Sequence, residues 1–267
     1  MKLPLKAGQT QSGHPFWVSD SNQDKWLAVT HGSFGDHRDF VEVLAPLRER
    51  YNFLLWDLPG HGENRTRALR RLPHIADALR EVMDEAAVAS AHQLGFSFGG
   101  MAAQSFARAY PERTASLIAY ACVPITMSPV KGTALLNFIA QTQLALTPWN
   151  AFCRAFAGQA SVSEPVQQEF ASRMRPQRAA LRNAIYEAMI FGASKEPGFR
   201  YRLPVAQIKG ACDDRFPGAK PQMDAWSATL PSDLVVEIAG AGHLAHFEQP
   251  EAFTNALSTL LARLERA

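Results

Sequence analysis

The chain has 267 residues, of which 47% are hydrophobic, and 27 Lys and Arg residues face 25 Asp and Glu residues. This composition is typical of a globular protein with a sizeable core, and it excludes extensive disorder and collagen-like or low-complexity structure. The formal charge of +2 gives no reason to expect a nucleic-acid or membrane partner.

The cysteines and the first residues favour a reducing compartment. Cys122, Cys153 and Cys212 are an odd set without the spacing of a metal site. Residues 8–13 are polar where a secretory signal needs an apolar run, and no segment reaches the ~18 uninterrupted apolar residues of a membrane span. We therefore expect a cytoplasmic protein, whose oligomeric state the sequence does not indicate.

Short apolar runs alternate with amphipathic helical patterns through the first half of the chain. Such alternation is typical of a mostly parallel central sheet with helices on both faces, an α/β fold. Strands are predicted at Trp26–Thr30, Phe53–Trp56, Ala91–Phe96 and Ala115–Val123, and helices at 40–47, 73–83 and 98–109.

A helical block then interrupts the alternation. From about residue 128 to 198 only helical spacings occur, without a strand-like run. Strands at Val205–Lys209 and Leu234–Ile238, a helical stretch at 223–229 and a final helix from Pro250 follow. We predict a core of residues 1–124 and 199–267, with a helical cap of residues 125–198 inserted after the sixth core strand.

The strongest local motif is Gly95-Phe96-Ser97-Phe98-Gly99-Gly100, directly after a predicted strand and at the start of a predicted helix. A serine on such a sharp turn is exposed at the sheet edge, and the glycines allow close backbone approach. The helix N-terminus also favours developing negative charge. This context predicts that Ser97 is a nucleophile rather than a surface serine in a glycine-rich turn.

A nucleophilic serine needs a histidine base and an acid that orients it. His243, in a loop between the last predicted strand and the last helix, is the best candidate, and His246 is its local competitor. Asp213 and Asp214 both follow the strand Val205–Lys209, so either one satisfies the chain order Ser, Asp, His.

Four motifs in this order resemble those of the α/β-hydrolase superfamily, in its cap-bearing branch of esterases, lactonases and carbon–carbon bond hydrolases. They cover essentially the whole chain except the helical block. Ser97 separates the chain from branches that use Asp as the nucleophile. The motifs are His31-Gly32-Ser33-Phe34-Gly35, Asp57-Leu58-Pro59-Gly60-His61-Gly62, the Ser97 turn and Gly242-His243.

The resemblance implies roles for particular residues. The pattern Gly-x-x-Asp-x-x-x-Pro falls on Gly210, Asp213 and Pro217, which favours Asp213 over Asp214. The backbone N–H groups of Ser33 and Phe98 would form the oxyanion hole, with Phe34 as the alternative to Ser33. His31 and His61 would hold loops, and neither a metal nor another cofactor is implied.

The helical block resembles a lid that covers the nucleophile with an apolar ceiling, and Leu135, Phe138, Ile139, Trp149, Phe152 and Phe156 are its candidates. Phe34, Phe138 and Trp149 are possible substrate contacts, as is Arg65 from the basic run Arg65, Arg67, Arg70 and Arg71. The alternative interpretation of this basic run is a solvated loop. Asn64 stands where relatives often have Ser.

The predicted function is a serine hydrolase that cleaves a small, largely apolar ester, thioester or lactone through an acyl-enzyme. The alternative is a cofactor-free lyase or carbon–carbon bond hydrolase that uses the same three residues on a carboxylate or diketone. The Asp57–Gly62 segment and the nearby arginines also resemble a lyase of menaquinone biosynthesis. A binding protein on the same scaffold would have no need of the complete Ser, Asp, His set.

Overall fold

The computed structural model describes residues 3–19, 21–126, 146–177, 179–194, 196, 198–214, 216 and 218–266. Its strands are β1 (Lys6–Gln9), β2 (Pro15–Val18), β3 (Trp26–Thr30), β4 (Asn52–Trp56), β5 (Ala91–Phe96), β6 (Thr114–Tyr120), β7 (Val205–Gly210) and β8 (Val235–Ile238). Within these residues the strands form one sheet in the order β1-β2-β4-β3-β5-β6-β7-β8. The pairs β1·β2 and β2·β4 are antiparallel, and every pair from β3 to β8 is parallel.

The predicted α/β fold with a mostly parallel sheet is confirmed. All the predicted strands are present, and their ends differ from the predicted ones by three residues at most. Strands β1 and β2 were not predicted, because β1 carries only partly buried and exposed side chains and so lacks an apolar pattern. Its position in the sheet depends on pairing with β2, which a local sequence pattern does not reveal.

The helices flank the sheet and the loops that connect its strands. They are α1 (Val41–Leu44), α2 (Leu72–Glu85), α3 (Phe98–Ala109), α4 (Trp149–Ala160), α5 (Glu164–Met174), α6 (Ala179–Gly192), α7 (Ala219–Ser227), α8 (Ala245–Glu248) and α9 (Pro250–Leu264). The amphipathic spacings of α2 and α9 place their apolar side chains in the core. No helix in the described ranges is long and apolar enough to cross a membrane.

The single helix predicted over residues 40–47 is wrong. The structure has a 3-10 turn at His37–Phe40, the short helix α1, and a second 3-10 turn at Ala45–Leu47. Pro46 lies in the second turn and has no N–H to donate to the carbonyl one helical turn earlier. The apolar spacing was therefore correct, but a continuous helix could not form.

Helices α4, α5 and α6 lie between β6 and β7 in the chain, and we call them the inserted helices. The described part of residues 125–198 contains no strand. The division into a core of 1–124 and 199–267 and a cap of 125–198 stays a prediction. The candidate ceiling residues Leu135, Phe138 and Ile139 lie outside the described residues.

The centre of the sheet is buried on both faces, which explains the continuous apolar runs of its strands. Every residue of β4, β5 and β7 is buried. Because β3, β5, β6 and β7 run in parallel, the loops that follow them emerge at one edge of the sheet. In open α/β sheets this edge is where ligands bind.

One buried carboxylate joins the loop after β3 to the loop after β4. Asp57, which follows β4, is fully buried and accepts hydrogen bonds from the His37 N–H at 2.7 Å, the His37 Nδ1 at 2.9 Å and the Glu63 N–H at 2.7 Å. Burial alone would raise the pKa of Asp57, but these hydrogen bonds and the neighbouring His31 outweigh it and hold the pKa below its usual range. The carboxylate therefore stabilises the folded protein.

We expect Asp57→Asn to lower the free energy of unfolding at neutral pH by about 2–3 kcal/mol, because buried donors lose their acceptor. The lowered pKa makes this contribution complete above the unfolded-state pKa of about 3.9 and reduces it as the pH falls through the folded-state pKa. Urea unfolding of both proteins over a pH series is the measurement. A difference that stays constant down to acidic pH would contradict the assignment.

Candidate active site

Ser97 lies in the turn between β5 and α3, in a backbone conformation that residues other than glycine rarely adopt. Its φ is +52° and its ψ is −116°. A Cβ on Gly95 would lie 2.6 Å from the Cα of Gly100, and a Cβ on Gly99 would lie 2.1 Å from the carbonyl oxygen of His31. The glycines of the motif are therefore required by the close packing of this turn.

Hydrogen bonds join Ser97, His243 and Asp213 in a continuous chain. The His243 Nε2 lies 2.8 Å from the Ser97 Oγ, and the Nδ1 lies 2.9 and 3.0 Å from the two Asp213 oxygens. Asp213 is 2% exposed, whereas Asp214 is exposed to solvent. The structure thus brings Asp213 rather than Asp214 to the imidazole ring.

The loops that carry Asp213 and His243 meet at a backbone contact that only glycine permits. A Cβ on Gly210 would lie 2.1 Å from the carbonyl oxygen of Gly242 and 2.4 Å from that of Ala241. The Cys212 N–H donates to the Ala241 carbonyl at 2.8 Å. This direct contact sets the distance between the acid and the imidazole ring.

The loop after β3, which contains Ser33, begins at a close contact of the Thr30 and His31 carbonyls with Gly99 of the Ser97 turn. Among the described residues the Ser33 N–H has no backbone acceptor, and the Phe98 N–H is the first of α3, where no intrahelical acceptor exists. Two backbone donors are thus available on the side of the site where the resemblance predicts an oxyanion hole. Phe34, the alternative, has a φ of +64°.

His31 holds this loop, as the resemblance implied. Its Nδ1 lies 2.8 Å from the Gly32 carbonyl oxygen, and its Nε2 accepts from the Leu58 N–H at 3.0 Å. Accepting at Nε2 leaves Nδ1 as the donor to Gly32, so the ring links the loops after β3 and β4.

An aromatic cluster borders the site and joins it to helix α4. The Phe34 ring lies edge-on to Trp149, Phe152 and Phe156, with centroids 5.2 to 5.8 Å apart. Phe156 lies 5.4 Å from Phe216, whose ring lies 4.7 Å from that of His243. We call Phe34, Trp149, Phe152, Phe156 and Phe216 the aromatic wall.

The remaining candidates lie at the edges of the site or outside it. Phe138 lies outside the described residues. Arg65 is exposed and lines a separate cavity of about 690 Å³, and Ser97 is not among the residues that line this cavity. Asn64 is buried, where its amide donates to the Asp57 carbonyl and its oxygen accepts from the Thr66 N–H and hydroxyl.

His246, the competitor of His243, and His61, a motif histidine, are both packed in the core. Burial lowers the pKa of His61 to about 3 and that of His246 well below its usual range. The His246 Nδ1 lies 2.9 Å from the Tyr120 hydroxyl, which also donates to the His243 carbonyl. Within the described ranges, no three His, Cys, Asp or Glu side chains lie close enough to hold a metal ion.

Sequence reasoning missed three residues that contact the site. Phe216 covers one side of His243, the Gln177 amide donates to the Phe34 carbonyl at 2.7 Å, and Glu248 accepts from the Gly242 N–H at 2.5 Å. Gln177 and Glu248 belong to no motif, so no local signal identified them. Phe216 lies within the Gly210–Pro217 segment of the sequence, and its apolar side chain was the signal that could have identified it.

The backbone conformation of Ser97 leads to a stability prediction. We expect Ser97→Gly to be more stable than Ser97→Ala by about 1 kcal/mol. Glycine relieves a backbone strain of about 1–3 kcal/mol that alanine retains. Part of this gain is offset because glycine has greater conformational freedom in the unfolded chain. Both variants lack the hydroxyl, so the backbone effect is isolated. Urea unfolding measures it, and equal stabilities would contradict the inferred strain.

Comparisons with known proteins identify the family of the chain. The family model described as the alpha/beta hydrolase family matches residues 27–256. A 2-succinyl-6-hydroxy-2,4-cyclohexadiene-1-carboxylate synthase of Enterobacter sp. (strain 638) is 26% identical over 95% of this chain and 95% of its own length. A pimeloyl-[acyl-carrier protein] methyl ester esterase of Aeromonas hydrophila is 28% identical over 85% of this chain and 91% of its own length.

A solved structure supports the same fold. A thermophilic esterase from Thermogutta terrifontis superposes with a TM-score of 0.75 at 19% identity, over 98% of this chain and 99% of that chain. The predicted resemblance is thus confirmed, and with it the hydrolase class at the level of the family. The chain belongs to the alpha/beta hydrolase family.

Proposed function

We propose that the chain is a serine hydrolase that cleaves a small, largely apolar ester, thioester or lactone. The observation that carries this proposal is the hydrogen-bonded chain from the Ser97 hydroxyl through His243 to the buried Asp213. A serine hydroxyl is a weak nucleophile until a base removes its proton, and His243 lies at hydrogen-bond distance for that step. The esterase relative from Aeromonas hydrophila supports the same reaction class.

In the proposed mechanism each residue has one role. Ser97 attacks the carbonyl carbon while His243 Nε2 takes its proton, and the resulting oxyanion accepts hydrogen bonds from the Ser33 and Phe98 N–H groups. His243 then gives the proton to the leaving group, which departs and leaves an acyl-enzyme. Water, activated by His243, hydrolyses the acyl-enzyme. Asp213 holds the proton on Nδ1 and stabilises the imidazolium that forms in both steps.

The aromatic wall supports an apolar substrate. Its rings extend from Phe34, next to Ser33, to Phe216, next to His243, so they border both sides of the reacting group. Apolar surroundings bind an acyl or alkyl chain and strengthen the electrostatic interactions that stabilise the oxyanion. Trp149 belongs to this wall, although its indole N–H donates to the Arg175 carbonyl.

The catalytic assignment is tested with 4-nitrophenyl esters of short and medium chain length. We expect Ser97→Ala and Asp213→Asn each to lower kcat by about 10⁴-fold, because one loses the nucleophile and the other the histidine orientation. Ser97→Ala also removes labelling by an organophosphonate.

Asp214→Asn is the matched control for Asp213→Asn, since Asp214 is the exposed neighbour in the same loop. Its activity is expected to equal that of the wild-type protein. Full turnover by Ser97→Ala would refute the mechanism, and an inactive Asp214→Asn would reverse the choice of acid.

A specific observation favours a second candidate, a lyase or carbon–carbon bond hydrolase acting on a carboxylate. The cavity of about 690 Å³ borders the loop of Phe34, because Gln177 lines it and bonds to the Phe34 carbonyl. Among the described residues Arg65 and Arg67 have no ion-pair partner. The arginines that line this cavity are Arg38, Arg65, Arg67, Arg70 and Arg173.

The two candidates differ in their dependence on these arginines. If the substrate is a carboxylate, Arg65→Ala with Arg67→Ala raises its KM by about tenfold or more, the cost of losing a hydrogen bond to a charged group. If it is a neutral ester, KM is unchanged. A substrate panel of neutral esters, carboxylated esters and vinylogous diketones, measured with both proteins, decides between them.

A further inference from the structure

The two residues that flank His243 in the chain are both held by backbone hydrogen bonds, one directly to an inserted helix and one to Glu248 of α8. The Leu244 N–H donates to the carbonyl of Ala160, the last residue of α4, at 3.1 Å. On the other side, the Gly242 N–H donates to Glu248 Oε2 at 2.5 Å. The backbone around the imidazole is thus held from outside its own loop.

The Glu248 carboxylate connects this loop to the turn between α4 and α5. Its second oxygen, Oε1, accepts from the Val162 N–H at 2.6 Å and from the Ser161 hydroxyl at 2.5 Å. We call residues Ala160, Ser161 and Val162 the cap turn. One half-buried carboxylate therefore accepts from both the cap turn and the His243 loop.

Glu248 and Val162 of the cap turn both pack close to Gly242. A Cβ on Gly242 would lie 3.4 Å from Glu248 Oε2 and from both the N and the Cγ1 of Val162. Hydrogen bonds from N–H donors to a carboxylate are also stronger than those between neutral groups. Glu248 thereby holds the Gly242 peptide, and with it the backbone of the next residue, His243.

The role of Glu248 is distinct from that of Asp213. Asp213 bonds to the imidazole itself, through Nδ1, whereas the hydrogen bonds of Glu248 in the described structure go to backbone N–H groups and to the Ser161 hydroxyl. Asp213 orients the ring, and Glu248 sets the backbone from which the ring extends. A shift of that backbone would move Nε2 relative to the Ser97 hydroxyl.

We propose that Glu248 is a positioning residue for His243, through which the cap turn sets the distance between the base and the nucleophile. This inference rests on the proposed function, in which His243 is the base. It makes the inserted helices part of the catalytic geometry as well as a border of the substrate site.

The test is Glu248→Gln, measured as kcat and KM on a 4-nitrophenyl ester, with kcat expressed per serine titrated by an organophosphonate. Glutamine keeps the length of the side chain, but its NH₂ group would face an N–H donor in place of an acceptor. We expect kcat to fall about tenfold or more with KM nearly unchanged, because a misplacement of about 1 Å can cost about 100-fold in rate.

Ser161→Ala tests the same connection from the inserted helices and leaves Glu248 intact. We expect kcat to fall roughly threefold, because Glu248 keeps its two backbone donors, and the double variant to be no slower than Glu248→Gln alone. If Glu248→Gln does not fold, Ser161→Ala decides: the reduced kcat supports the proposal and an unchanged kcat overturns it.

Glu196→Gln is the matched control, because Glu196 joins Arg108 of α3 in an exposed ion pair after the inserted helices, away from the His243 loop. Its kcat is expected to be that of the wild-type protein. A lower melting temperature of Glu248→Gln with an unchanged kcat per titrated serine would overturn the positioning role. A wild-type protein that neither hydrolyses esters nor reacts with the organophosphonate would instead refute the proposed function.

Discussion

The geometry of the site depends on one strained turn. Ser97 has a positive φ that serine rarely adopts, and the close contacts of Gly95 with Gly100 and of Gly99 with the His31 carbonyl hold it there. The same contact brings the loop after β3, and with it the Ser33 N–H, against the start of α3. The proposed nucleophile Ser97 and the predicted oxyanion hole are therefore positioned by one packing constraint.

A second glycine contact sets the other half of the site. Because Gly210 has no side chain, the carbonyls of Ala241 and Gly242 occupy the space that a Cβ would fill. The loops after β7 and β8 are therefore packed directly against each other. Asp213 and His243 extend from these loops. Both halves rely on backbone packing rather than on long side chains, which loses little side-chain entropy and leaves the groups rigid.

The inserted helices and the turns between them contact both halves. Gln177 bonds to the Phe34 carbonyl, Arg173 forms an ion pair with the buried Asp39, and Glu248 joins the cap turn to the loop of His243. Phe34 and Phe216 add apolar contacts with α4 on the two sides of the site. In the proposed mechanism, substrate binding that shifts these helices would therefore alter the oxyanion donors and the position of His243 together.

The sequence by itself determined the alternation of strands and helices, the Ser97 turn and the chain order of Ser97, Asp213 and His243, because these are recorded in local spacing and in glycines at fixed offsets. With Pro46 taken into account, it also contained the break in the helix predicted over 40–47. The tertiary structure alone decided the pairing of β1 with β2, the burial of Asp213 against the exposure of Asp214, and the contacts of Gln177 and Glu248. The physical reason is that these features join residues far apart in the chain, where no local pattern records which backbone group a side chain will meet.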